Sequence, residues 1–226
     1  MDLEIQDVAE LLNTSEGTIS DWLADGKIPA YKIKDEYRFS RLEIEDWVIN
    51  HNLVNKDAEG QRSAGGNQQY CLYRAVHIGG VLNAVPGKTK EEVISNATEL
   101  LAAPLKFDAA IMKDLLLDRE RLMPTALNNG IGIPHTREVL LNTHQDIVAI
   151  VFPDEPIEYG ALDGKPVHCL FFLFASEDKR HLQLLAKIAH LSNQIEARKF
   201  LHSQPNKKEL LHYIKEWEAK IPSPEA

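Results

Sequence analysis

Cysteine is nearly absent from this chain: Cys71 and Cys169 are the only two in 226 residues. Two distant thiols make neither the disulfide framework of a small secreted domain nor a structural zinc site. Long apolar runs are missing too. The longest, Cys169 to Ala175, has the length of a strand and falls far short of the roughly 20 residues a membrane-spanning helix needs. No basic excess exists either: 34 acidic against 25 basic residues give a formal net charge of −9. That balance argues against a general nucleic-acid coat and leaves room only for a local basic patch. The opening MDLEIQDVAELL is acidic and amphipathic, unlike a basic leader with an apolar centre, so the chain is expected in the cytoplasm and away from membranes. Three reactive signatures are lacking as well. There is no H-E-x-x-H for a metal, no G-x-S-x-G elbow for a serine nucleophile, and no G-x-x-x-x-G-K-[ST] phosphate loop. No metal and no bound cofactor are expected.

What is present divides in two. The hydrophobic content of 44% is enough for a buried core, yet Asn55 to Gln69 (NKDAEGQRSAGGNQQ) has no aliphatic residue larger than alanine and no hydrophobic period. It reads as a flexible linker over 55–69, separating a small module at 1–54 from a larger domain at 70–226. In the first module Ile5, Val8, Leu11 and Leu12 recur at helical spacing. Asn13-Thr14-Ser15 interrupts them and offers caps to a second helix carrying Ile19, Trp22 and Leu23, which Asp25-Gly26 ends. Ile28 to Ile33 and Tyr37 to Phe39 alternate like two short strands around a turn at Lys34-Asp35-Glu36. Ser40, with Glu43 three residues on, opens a last helix whose buried side is Leu42, Ile44, Trp47 and Val48. Helix, turn, helix, hairpin, helix is a winged-helix order.

Beyond the linker, the spacing predicts an amphipathic helix from Thr89 to Leu101, with Val93, Ile94, Ala97, Leu100 and Leu101 on one side, and a second from about Asp108 to Glu120. Strand-like runs follow at Gly130 to Pro134, Ile147 to Phe152 and Val167 to Ala175, then helices from Asp178 to Asn193 and from Lys207 to Trp217. Interspersed strands and helices indicate an α/β layer structure. The near-continuous apolar third strand is expected to be central, covered on both faces.

One constellation carries chemistry: Arg119-Glu120-Arg121, the stretch from Pro124-Thr125 through Gly130-Ile131-Gly132-Ile133-Pro134-His135, and His181-Leu182. Glycines allow close backbone approach, and Pro134 biases Ile133 towards an extended conformation. GIGIPH therefore displays a histidine at the end of a strand on a rigid loop. Of the nine histidines, the remainder, His168 and His190 among them, are read as structural or solvent-facing.

These stretches carry resemblances. DVAELLNTSEGTISDWLADGKIPAYKIKDEYRFSRLEIEDWV resembles the excisionase and MerR-like helix-turn-helix family. From Leu72 to about Glu218 the chain resembles the fructose/mannitol-type EIIA domains of the phosphoenolpyruvate-dependent phosphotransferase system, in the style of their nitrogen-regulatory branch. TKEEVI, RERLMPTALNNGIGIPHTR, IEYGALDGKPVHCLFFLFA and HLQLLAKIAHL carry that likeness. Ala126 and Asn128 stand where the family often has glycine, which bears on loop flexibility. The resemblance implies an α/β/α sandwich around a mixed sheet, behind a small winged helix-turn-helix domain. It makes His135 the acceptor of a phosphoryl group from a phospho-HPr-type carrier, with Arg119 and His181 around that group and Thr125, Gly130 and Pro134 supporting the loop. An unperturbed imidazole, with a pKa of about 6.5, supplies a largely neutral nitrogen nucleophile at pH 7. Arg119 adds a permanently charged planar fork for the equatorial oxygens. His181 falls in the first turns of a helix, where the dipole favours a neutral ring and attracts an anion.

The joined module implies a regulatory output, either through DNA or through a regulated protein partner. The second helix carries Glu16 and Asp21 and no lysine or arginine. Contact with DNA phosphates is therefore expected from the hairpin, at Lys32, Lys34 and Arg38. The alternative function is a transcription regulator, or an interaction protein, whose EIIA-like domain only senses.

Overall fold

Hydrophobic spacing sets the first module. The computed structural model describes residues 2–12, 14–34, 36–50, 71–136 and 145–221. The expected linker at 55–69, the Asn13 cap and Asp35 in the hairpin turn lie outside them. Strand β1 (Asp2–Leu3) leads into α1 (Ile5–Leu12) and α2 (Glu16–Ala24), followed by β2 (Tyr31–Ile33), β3 (Glu36–Ser40) and α3 (Arg41–Asn50). Ser15 caps α2 by accepting the Thr18 N–H at 3.1 Å, and Gly26 takes φ 64° just past its end. Strand β3 is the centre of a small antiparallel sheet in the order β1-β3-β2. The two-residue β1 is too short to leave a period-2 signal in the sequence. Val8, Ile19, Ile28, Phe39, Ile44 and Val48 are buried, and the rings of Trp22 and Trp47 lie 5.3 Å apart. The Trp47 indole N–H donates to the Lys27 carbonyl, tying α3 to the segment that leaves α2.

The larger domain runs α4 (Cys71–Gly79), β4 (Val81–Val85), α5 (Lys90–Leu105), α6 (Ala109–Leu122), β5 (Ile131–Gly132), β6 (Ile147–Pro153), β7 (Cys169–Phe174), α7 (Asp178–Asn193), α8 (Ile195–His202) and α9 (Lys207–Lys220). Its sheet has the order β4-β6-β7-β5, with β6 and β7 antiparallel and the two outer pairings parallel. Strand β7 is internal and wholly buried, as its apolar run predicted.

Alternation along the central strands divides the core. Ile147, Ala149, Val151, Leu170, Phe172 and Phe174 cluster with Val93, Ile94, Ala97 and Leu101 of α5 and Met112 and Leu116 of α6. Val148, Ile150, Phe152, Cys169, Phe171 and Leu173 face the other way, towards α4, α7, α8 and α9. The result is helices on both faces of a mixed sheet. Leu100 departs from the expected stripe and is 53% exposed, because α5 buries the narrower line through Ala97, Thr98 and Leu101.

The first module does not stand apart. Helices α1 and α3 pack on α7, and the apolar cluster of Val8, Ile44 and Val48 is continuous with Leu182, Leu185 and the outer face of β7. Two carboxylates position α7 and its surroundings. Asp146 accepts the N–H and hydroxyl of Ser176, both at 3.0 Å, and pairs with Arg180 at 2.7 Å, pinning the start of α7 to the start of β6. Glu218 of α9 is buried and accepts the N–H groups of Leu72 at 3.1 Å and Tyr73 at 2.8 Å, so it satisfies donors at the start of α4. It also pairs with Lys187 of α7 at 2.6 Å. Glu218→Ala orphans those donors and removes the ion pair to half-buried Lys187. The expected cost is on the order of 3 kcal/mol, read as a lowered denaturant midpoint with unchanged slope; a loss within error would refute the bridging role.

Candidate functional site

The histidine loop is built as a tight hairpin rather than a free loop. Leu127 N–H donates to Ile131 O at 2.7 Å, and Ile133 N–H to Thr125 O at 2.9 Å, with Ala126 opposite Gly132. Asn129 at φ 70° and Gly130 at φ 78° make the reversal, and the Asp163 carboxylate fixes it by accepting the Asn129 N–H at 2.7 Å. That hydrogen bond is the main reason the Asp163 carboxyl titrates below its ordinary range. Gly130 is required for space as well as torsion, since a Cβ there would stand 2.5 Å from His168 Nδ1. The chain then leaves beside β7: Leu173 N–H donates to Pro134 O at 3.0 Å, and His135 bridges to Leu173.

His135 Nδ1 lies 2.7 Å from the carbonyl of Ile133. A carbonyl only accepts, so Nδ1 carries a proton and Nε2 is the ring nitrogen left for other chemistry. His181, in the first turn of α7 with its N–H on Glu177 O, brings its ring centroid to 5.1 Å from that of His135. The fold thus brings the two histidine rings together.

Arg119 is buried at the end of α6, and its Nη1 donates to Met123 O at 3.0 Å. Its neighbour Glu120 is also buried. Glu120 accepts the Thr125 N–H at 3.1 Å and the Thr125 hydroxyl at 2.6 Å, with Lys90 Nζ at 3.6 Å and the Tyr159 hydroxyl at 3.4 Å. Burial raises the Glu120 carboxyl above the usual range against the pull of those partners, and burial first, then the Glu120 charge, pushes the Tyr159 hydroxyl well up. Thr125 thus spends its hydroxyl hydrogen on Glu120 and braces the loop through it. His168 packs edge-on to His202, 4.8 Å between centroids, and burial lowers its pKa. His190 lies against Trp217. The hairpin cations are elsewhere: Lys32 and Lys34 are exposed, whereas Arg38 is half-buried, pairing with Glu36 at 2.7 Å and Glu4 at 3.2 Å.

The residue that sequence reasoning missed comes from the other module. Glu45 of α3 reaches the histidine pair, its Oε2 standing 4.0 Å from His135 Nε2. His135 and Glu45 are both 0% exposed, and His181 is 4% exposed. Arg41, one turn before Glu45, donates from Nε to Glu45 Oε1 at 3.2 Å and from Nη1 to Asp178 at 2.5 Å, spanning the two modules. One signal was available. Arg41, Ile44, Glu45 and Val48 share a helical face, so a charge stood within an apolar stripe. The ligand atoms of Glu45, His135 and His181 all lie within 4.8 Å of one another, a set with metal-binding chemistry that no local spacing announced.

Comparison with known proteins agrees with this architecture. Residues 80–217 match the family model described as "Phosphoenolpyruvate-dependent sugar phosphotransferase system, EIIA 2", and residues 3–51 match a helix-turn-helix domain model. A nitrogen regulatory protein of Pseudomonas aeruginosa is 37% identical over 133 residues, which are 58% of this chain and 85% of that one. Another, from Klebsiella oxytoca, is 30% identical over 139 residues, 61% of this chain and 79% of that one. Among solved structures, the nitrogen regulatory protein IIA-Ntr of Neisseria meningitidis superposes with a TM-score of 0.54 at 28% identity, over 63% of this chain and 94% of that one. IIA mannitol of Escherichia coli, at 20% identity and a TM-score of 0.50 over 60% of this chain and 95% of that one, shares the fold. Among the described residues no helix is long and apolar enough to cross a membrane. The chain belongs to the EIIA type 2 family of the phosphoenolpyruvate-dependent phosphotransferase system, with a helix-turn-helix domain at its N-terminal end.

Proposed function

We propose that this protein is a cytoplasmic phosphocarrier that accepts a phosphoryl group on His135 from a phospho-HPr-type carrier and reports that state to its N-terminal module. In this reading residues 1–54 form the output module, 55–69 the tether and 70–226 the phosphocarrier domain. The observation that carries it is the 2.7 Å contact of His135 Nδ1 with the Ile133 carbonyl, which turns Nε2 towards Glu45.

Nε2 attacks the phosphorus of the donor phosphohistidine. The new P–N bond forms as the donor's breaks, and the donor nitrogen keeps the electron pair. The accepting ring becomes cationic, and the Ile133 carbonyl stabilises that charge at Nδ1–H. Arg119 supplies a permanent charge for the transferring oxygens, and His181 a second imidazole beside them. Thr125, Gly130 and Pro134 hold the loop; Thr125 acts through Glu120.

Coupling follows from space and charge. A donor must approach Nε2 in line, and with His135 fully covered it cannot do so until α3 withdraws. Once phosphorylated, His135 would place negative charge where Glu45 Oε2 now stands, 4.0 Å from Nε2. Two like unit charges at about 4 Å repel by about 4 kcal/mol at an effective dielectric of 20, a bias of about a thousandfold against redocking. Docked module and phosphohistidine therefore exclude one another, and phosphorylation frees the faces of α1 and α3 that now cover α7.

Incubation with phosphoenolpyruvate and the two general relay proteins is expected to leave an acid-labile, alkali-stable phosphate on wild type and none on His135→Ala. Glu45→Ala should take up label about tenfold faster, the factor given by removing ~1.4 kcal/mol of docking energy, and Arg119→Lys more slowly. Full labelling of His135→Ala, or no acceleration in Glu45→Ala, would count against the reading.

For the output, the exposed β2 and its turn offer Lys32 and Lys34 to phosphates, while Arg38 must first leave Glu36 and Glu4. Fluorescence anisotropy on genomic fragments should show binding that falls steeply with salt and disappears in a Lys32/Lys34/Arg38 alanine variant. Absence of binding at low salt, with and without phosphorylation, would point to a protein partner instead.

A further inference from the structure

Three buried residues of metal-binding type converge: Glu45 from α3, His135 from the end of the hairpin, and His181 from α7. We propose that they form a divalent cation site, best suited to Zn²⁺, that locks the N-terminal module over His135 and is dismantled by phosphorylation. The inference rests on the reading of His135 as phosphoryl acceptor only for its last clause; the site itself rests on the docked geometry.

The donor set is two imidazole nitrogens and one carboxylate oxygen, a combination that zinc takes with a fourth position left for water or another ligand. Ligands bonded at roughly 2.0–2.1 Å in a tetrahedron stand about 3.3 Å apart. His135 Nε2 and Glu45 Oε2 are 4.0 Å apart, and no separation in the set exceeds 4.8 Å. The three side chains therefore close on the ion by rotations that draw their ligand atoms together by roughly 1 Å.

The outer arrangement fits as well. A metal-bound histidine characteristically donates its other ring N–H to a carbonyl or carboxylate, which fixes the tautomer and aims the lone pair. His135 Nδ1 does this to Ile133 O at 2.7 Å. The carboxylate is oriented in the same way, because Arg41 holds Glu45 Oε1 and leaves Oε2 turned to the histidines.

The ligand at the centre is the proposed nucleophile. An ion on Nε2 occupies the lone pair that would attack phosphorus, and a phosphoryl group on Nε2 removes one ligand and displaces Glu45. Zinc and phosphoryl group are then competitors for a single nitrogen, and zinc stabilises the closed form by mass action. The site is completed only by residues of both modules, so opening removes one of its three ligands.

The test uses the full chain, stripped with chelator and titrated with zinc chloride against a chromogenic chelator. Wild type should bind one equivalent that Glu45→Gln and His181→Ala lose or hold at least about a hundredfold more weakly. Glu45→Gln keeps the shape of the side chain and guards against loss by misfolding. In a single-turnover assay with purified phospho-carrier, that equivalent of zinc should slow transfer to wild type at least severalfold. Chelator should reverse the effect, and Glu45→Gln should not show it. Equal zinc uptake by wild type and Glu45→Gln would mean adventitious surface histidines, and no uptake would mean that a proton alone joins His135 to Glu45; either overturns the proposal. If zinc fails to bind while Glu45→Ala still speeds phosphorylation, the coupling reading survives without the metal. If zinc binds at these three residues but no form of the protein is labelled, the site stands and the phosphocarrier reading falls.

Discussion

A carboxylate on one module faces an imidazole on the other, and most of what is distinctive in this protein depends on that meeting. Glu45 and His135 are both withdrawn from water, so their relation is set by groups within the protein. Arg41 steadies the carboxylate and the Ile133 carbonyl steadies the ring. An ionised carboxylate in such a place is costly unless compensated. The arrangement is thus sensitive to any charge introduced at Nε2, and a phosphoryl group is the largest such change that a histidine commonly carries. A contact poised in this way is well suited to switching: it is held by continuous apolar packing between α1, α3 and α7 and opposed by one local charge.

The EIIA domain provides the rigidity that the proposed switch requires. Strands β6 and β7 are buried on both faces, and the hairpin ending at His135 is laced to β7 through Pro134. Glu120 and Thr125 brace its entry, Asp163 its tip, and Asp146 ties α7 to β6. Glu120 and Asp146 are buried and Asp163 lies at the surface; each accepts backbone or hydroxyl hydrogens, which fixes direction as well as distance. His135 therefore has little freedom to turn away from Glu45, and relief must come from movement of the module.

Much of this was legible in the sequence. The boundaries of α7 followed from its apolar period, the β7 run from its length and composition, and GIGIPH marked the displayed histidine. Helix α4 and strand β4 escaped notice for physical reasons. In α4 only Leu72, Ala75 and Val76 are buried, and β4 is interrupted between Leu82 and Val85, with Ala84 at φ 53°. Leu100 misled because an amphipathic stripe has a width that sequence does not specify. Glu45 was invisible as a site residue for a different reason: its place arises from tertiary contacts between segments with no shared local pattern, whereas Glu120 stood in the marked Arg119-Glu120-Arg121 stretch without its bond to Thr125 being legible. The acid within the apolar face of α3 was a hint that the face met something polar, though the hint named no partner.

The central claim is that the N-terminal module covers His135, and the accessibility of that ring tests it most directly. Carbethoxylation of the unphosphorylated full chain, followed residue by residue with mass spectrometry, compares His135 with His212, whose side chain is 73% exposed. The account predicts prompt modification of His212 and strong protection of His135 and His181 together. Modification of His135 at a rate comparable to His212 would contradict it.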